Sequence, residues 1–231
     1  MKGKIKYILL MILIILAVIG GYIIANPKIQ VTEEKEAFQI NKMVLYSSAN
    51  AVSNEGLDKK WELDIYQYTD IAIYLEKLEN KDIERIYIDN ISISEPPQLG
   101  QANVYKKDIE DFAKPMQLNK VADEIEYSVA ENGEFLQNCT KPIIISYLNN
   151  VKQDYAITNI NEKLEYNETV LKRARILTSE IKARISFNVN IVDSEEVKHT
   201  CNVELEIPVE ELINGQKSVE KNEIIRLKKA E

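Results

Sequence analysis

Two runs near the C-terminal end alternate apolar and polar residues so regularly that they admit one backbone conformation. Ile181, Ala183, Ile185, Phe187, Val189 and Ile191 alternate with Lys182, Arg184, Ser186, Asn188 and Asn190. After Asp193-Ser194-Glu195-Glu196, the residues His199, Cys201, Val203, Leu205, Ile207 and Val209 alternate with Thr200, Asn202, Glu204, Glu206 and Pro208. A period of two places one set on each face of an extended chain, so each run reads as a half-buried strand. Together they predict an antiparallel hairpin. Keeping both apolar sets on one face requires a loop of three or five residues, because a one-residue slip would turn one set outward. Pro208 has no ladder donor, so the second strand should end there or run along an edge.

Shorter patterns of the same kind occur at Trp61-Leu63-Ile65, Ile71-Ile73-Leu75 and Ile125-Tyr127-Val129, with a continuous apolar run at Ile143-Ile144-Ile145. Ile86 and Ile88 change phase to Ile91 and Ile93 at Asp89-Asn90, which predicts a bulge. Glu131-Asn132-Gly133-Glu134 and Leu148-Asn149-Asn150-Val151 read as turns. Helix is scarce, with one or two turns expected after Asn167. Many short strands separated by turns predict an antiparallel β-sandwich, immunoglobulin-like or related.

A different solvent governs the N-terminal end. Residues 7–25 form a run of 19 without a charge, about 28 Å of helix at ~1.5 Å per residue, which nearly spans a bilayer core. Lys2, Lys4 and Lys6 precede it, and no comparable basic excess follows. The positive-inside rule therefore predicts a cytoplasmic tail at 1–6, an uncleaved signal-anchor transmembrane helix at 7–25, a stalk at 26–38 and an extracytoplasmic domain at 39–231. Glu95-Pro96-Pro97-Gln98-Leu99-Gly100 marks a possible subdivision of that domain near 95–100. Setting aside the three lysines leaves 26 basic against 37 acidic residues, a formal −11. Such a surface argues against nucleic acid and against lying on anionic lipid.

Five segments, Trp61-Glu62-Leu63-Asp64-Ile65, Arg85-Ile86-Tyr87-Ile88-Asp89-Asn90, Pro97 with Asn103-Val104-Tyr105-Lys106, Leu171-Lys172-Arg173, and Phe187-Asn188-Val189-Asn190-Ile191, carry a resemblance. In these the chain resembles single-pass, membrane-anchored extracytoplasmic proteins of low-GC Gram-positive bacteria. The resemblance implies location and fold; the group brings no established activity.

The chemistry of cofactors is hard to assemble from this composition. With 7 glycines, neither phosphate-binding signature, G-x-x-x-x-G-K-[ST] or G-x-G-x-x-G, occurs, and a single histidine with no H-E-x-x-H and no C-x-x-C argues against a zinc site. No cofactor, metal or catalytic residue is expected, and the chain reads as a non-enzyme. His199, on the inward phase beside a turn, reads as a satisfied or partly exposed histidine rather than a catalytic base. Ser179…Lys182 and Ser218…Lys221 match S-x-x-K without the companion motifs of penicillin-binding proteins. Asp193-Ser194-Glu195-Glu196 offers oxygen ligands for calcium but lacks the EF-hand spacing, so it reads as a polar turn.

Tyr66, Tyr68 and Tyr74 share the phase opposite Trp61, Leu63, Ile65, Ile71 and Ile73, which predicts a phenol-bearing outer face suited to a protein or glycan contact. Cys139 and Cys201 could form a disulfide closing a loop of about 62 residues and stabilising by about 4 kcal/mol in the chain-entropy model, or remain buried thiols. The expected function is binding, scaffolding or assembly at the membrane, with the bilayer held through residues 7–25 and another envelope protein or a glycan as partner. The alternative is an anchored hydrolase of an envelope polymer, using a carboxylate pair such as Glu62 and Asp64.

Overall fold

The computed structural model describes residues 36–55, 61–107, 124–127, 137–157, 170–210, 212 and 216–230. Among these no helix is long and apolar enough to cross a membrane, and the predicted tail, anchor and most of the stalk lie outside them. Residues 36–231 form one compact unit, in which residues 96–100 link two strands.

Ten strands build an antiparallel sheet: β1 Phe38–Glu55, β2 Trp61–Lys77, β3 Ile83–Glu95, β4 Gln101–Lys106, β5 Glu124–Tyr127, β6 Ile143–Ile157, β7 Arg184–Asp193, β8 Lys198–Glu206, β9 Gln216–Lys221 and β10 Ile225–Lys229. Their order is β4-β6-β2-β1-β10-β8-β7-β3-β5, with β9 also paired to β1. β1 opens at Phe38, the last residue assigned to the stalk, because Phe38 pairs with Lys77 on β2 and with Leu227 on β10. The sheet curls nearly into a barrel. Residues from both halves, among them Phe38, Leu45, Ile71, Ile145, Ile88, Phe187 and Leu205, join one buried apolar cluster, and Tyr127 at the β5 end donates to the Ile144 carbonyl on β6 at 2.9 Å.

The β7–β8 hairpin follows the alternation. Ile185, Phe187, Val189 and Ile191 stand opposite Leu205, Val203, Cys201 and His199, and five residues, 193–197, separate the last β7–β8 pair, Val192 and Lys198, with Asp193 still paired to Ile83 on β3. β8 ends at Glu206, ahead of Pro208. The phase change in β3 is a bulge: three steps from Asp89 to Ser92 oppose two from Asn188 to Ser186, and Asn90 takes a left-handed φ of 52°.

Other expectations are corrected. Leu148-Asn149-Asn150-Val151 is no turn but the middle of β6, where Asn149 is buried and donates to the Leu99 carbonyl at 3.1 Å. The two patterns at 61–65 and 71–75 are one strand of 17 residues, joined through Gln67 and Thr69, which continue the inward phase and are fully buried. The helix after Asn167 is described only as α1, Val170–Arg173; Val170 and Leu171 enter a second apolar cluster with Ile65, Val151, Ile181 and Leu212. Between the two clusters runs a buried polar belt, in which the Ser47 and Thr69 hydroxyls meet at 2.7 Å and the Asn149 amide donates to Gln67 at 3.4 Å. The predicted turn at 131–134 and Val129 lie outside the described residues.

Gly100 is required where β4 meets β6. Its φ is +102°, and a Cβ there would stand 2.2 Å from Asn149 Oδ1 and 2.7 Å from the Asn150 carbonyl. Gly100→Ala is therefore expected to destabilise the fold by about 2 kcal/mol or more, read as a lowered urea midpoint with an unchanged slope.

Candidate functional site

Register places the predicted tyrosines on a shared outer face. One row across four strands reads Tyr46, Asp70, Ser146, Tyr105; the next reads Ser48, Tyr68, Leu148, Asn103; the third reads Asn50, Tyr66, Asn150, Gln101. Tyr46 is 39% exposed, while Tyr66, Tyr74 and Tyr105 are half-buried. Tyr74 lies two rows beyond Asp70, with the Lys42 ammonium 4.9 Å from its ring centre and paired in turn with Glu220 at 3.5 Å. Tyr46 and Tyr105 were not legible as members of the face, since only strand pairing brings β1 and β4 to it.

Tyr68 behaves differently from its neighbours. It is buried, and its phenol donates to Asp70 Oδ1 at 2.5 Å while accepting from Lys107 Nζ at 2.6 Å. Lys107 also pairs with Asp70 Oδ2 at 2.6 Å, and Ser146 Oγ donates to Asp70 Oδ1 at 2.6 Å. Burial, with the Asp70 carboxylate, raises the Tyr68 phenol above its ordinary pKa. Burial alone would depress Lys107, but its bonds to Asp70 and Tyr68 more than offset that and raise it. The phenol therefore stays protonated and the amine stays an ammonium. Tyr68, Ser146 and Lys107 thus converge on the Asp70 carboxylate, tying β2 to β6 and to the residue that follows β4, within the rows that carry Tyr46, Tyr66 and Tyr105.

Of the carboxylate pair in the hydrolase reading, the structure describes one side chain, that of Asp64. Asp64 accepts from the Asp154 backbone N–H at 3.1 Å, and the side chain of Glu62 lies outside the described residues. Of the S-x-x-K matches, Ser179 falls in a single 3-10 turn and Lys182 is bound to Glu206 at 2.6 Å; Ser218 lies on β9.

His199 is buried, its Nε2 3.1 Å from Asp193 Oδ2 and its ring edge-on to Phe38 at 5.0 Å. Asp193 anchors the hairpin loop: Oδ1 accepts from the backbone N–H groups of Glu195 and Val197, both at 3.0 Å, and Oδ2 from Lys81 at 2.9 Å. Burial would raise this carboxyl, but the bonds from Lys81, His199 and the two N–H groups outweigh it and hold it well below the usual range. Its oxygens are spent on the protein itself. Among the described residues, no three His, Cys, Asp or Glu side chains gather as a metal site.

Cys139 and Cys201 are thiols, not joined to each other. Both pack on the main apolar cluster, and burial pushes each up to about 11, which keeps them protonated and poorly nucleophilic at neutral pH.

No family model, curated protein or solved structure matches the chain. The functional reading therefore rests on the tyrosine face.

Proposed function

We propose that this is a membrane-anchored binding or assembly protein, held in the bilayer through residues 7–25 with the domain outside the cell. In this reading its two half-sheets act as the layers of an antiparallel sandwich, and the outer face of β1, β2, β6 and β4 docks another envelope protein. The observation that carries the reading is the exposure of Tyr46 on the same face as half-buried Tyr66 and Tyr105, with the part-buried Asp70–Lys107 pair tying the strands of that face together. Tyrosine offers apolar area and a hydroxyl at low rotamer cost, which suits a face that must release water and still satisfy polar groups. The acidic balance of the domain keeps it soluble and off anionic head groups.

Replacing Tyr46, Tyr66 and Tyr74 together by Ser tests this. Each points outward, so the melting temperature should change by no more than a few degrees, while partner capture by crosslinking in intact cells should fall about tenfold. Undiminished capture would exclude the face. Protection of the domain from protease added to intact cells would exclude the topology.

A further inference from the structure

On the opposite half of the sheet, Asn190 stands on the outward phase of β7, yet it is fully buried and neither its Oδ1 nor its Nδ2 has a hydrogen-bond partner among the described residues. Leaving both ends of a buried amide unmade is costly, so the residue calls for an explanation beyond packing. What buries it can be read from register. Asn190 lies between Tyr87 on β3 and Thr200 on β8. Tyr87 and Lys198 sit on strands separated by β7, so their backbones are about 10 Å apart. The Lys198 ammonium nevertheless lies 5.3 Å from the Tyr87 ring centre. The Lys198 side chain must therefore reach across β7 toward the Tyr87 ring, which places the two together over Asn190. Arg85 stacks on the same ring at 4.5 Å.

Beside this covered amide runs a second polar row. Asn188 and Asn202 face each other, with Asn202 Nδ2 donating to Asn188 Oδ1 at 3.0 Å, and Asn202 is exposed. Asp89 joins the row opposite Asn188, and its buried Oδ1 also has no partner among the described residues. The bulge at Asn90 sets the position of Asp89, a role bulges often play beside binding sites.

The charges around the site are largely neutralised from within. Arg85 is held by Glu124 at 2.5 Å and Glu126 at 2.9 Å, and Lys198 stands 3.8 Å from Asp89. An anion would have to displace these partners. A neutral ligand would not, and an amide offering one acceptor and one donor side by side matches a vicinal pair of hydroxyls. The Tyr87 ring supplies an apolar surface for C–H groups once the cover swings aside.

We infer that the outer face of β3, β7 and β8 holds a binding site for a neutral carbohydrate segment, in which Asn190 bonds the hydroxyls and Tyr87 is both cover and stacking platform. The site lies apart from the tyrosine face and does not depend on it.

The test uses the full chain in a sugar-free zwitterionic detergent, titrated by calorimetry with the tetrasaccharides of N-acetylglucosamine, cellobiose units and maltose units, and with polyphosphate. At least one neutral oligosaccharide should bind saturably at millimolar concentration or below. Asn190→Leu, nearly isosteric, should weaken that binding about tenfold while leaving the melting temperature unchanged or higher, because it removes an unmade amide from the interior. The exposed Asn202→Ala should weaken binding about threefold, and the Tyr46, Tyr66, Tyr74 triple variant should bind as the parent does. Absence of saturable neutral-sugar binding, binding of polyphosphate alone, or unchanged affinity in Asn190→Leu would each overturn the inference.

Discussion

Asp193→Ala should lower the stability of the domain by about 3–5 kcal/mol, the range for removing one partner from a buried charged group. The substitution strips four donors at once: Lys81 Nζ, His199 Nε2 and the backbone N–H groups of Glu195 and Val197. Two of these close the five-residue loop of the β7–β8 hairpin, and a third fixes the ring that packs against Phe38 at the start of β1. Asp193→Asn should cost less, since an amide oxygen can still accept from the loop N–H groups but carries no charge for Lys81. The pH dependence has a definite sign. The folded carboxyl lies below its unfolded value of about 3.9. Its contribution is therefore complete above that pH and disappears as the pH falls through the depressed folded value. Urea unfolding followed by circular dichroism should show the gap between parent and variant constant from neutral pH to about 5 and closing only in stronger acid. A gap below 1 kcal/mol at neutral pH would count against the anchoring role.

Asp70→Ala is the second large effect, again about 3–5 kcal/mol. It leaves the Lys107 ammonium, with a side chain only 5% exposed, without its carboxylate and removes the acceptor for both Tyr68 and Ser146. Lys107→Met alone takes the ammonium from the carboxylate, which keeps the Tyr68 and Ser146 hydroxyls as donors. Because much of each loss comes from separating the two charges, the double variant Asp70→Leu, Lys107→Met should recover to within about 1–2 kcal/mol of the parent. Additive losses in this cycle would mean that the pair does not act as a unit. Partner capture by the double variant then separates stability from function: it should remain, since Tyr46 and Tyr66 are untouched.

The sequence was most informative where one face of a strand is uniformly apolar. Ile185 to Ile191 and Val203 to Leu205 announce their strand, their face and even the parity of their loop. The β3 bulge was legible from the phase of Ile86, Ile88, Ile91 and Ile93. β1 was not, because the irregularity between Ile40 and Lys42 breaks its alternation and its inward face continues as Ser47 and Ala49. Gln67, Thr69 and Asn149 misled for a related reason: polar residues placed inward read locally as a gap or a turn, and only the neighbouring strand supplies their partners. Tyr66, Tyr68 and Tyr74 were correctly assigned to one face. What separates buried Tyr68 from the others is Lys107, 39 positions away in the chain, and no local pattern records that distance.

β1 pairs on one side with β2 and on the other with β9 and β10, so the strand that opens the sheet shares its far edge with the two that come last. Glu36 and Arg226, 190 positions apart, meet at 2.9 Å. During synthesis the β1–β2 hairpin can form early, but the junction between the two halves waits for residues 216–229 to arrive. Until then the edge of β1 lies open and able to pair with another chain. Any factor that escorts this protein must therefore shield that edge until synthesis has passed β10.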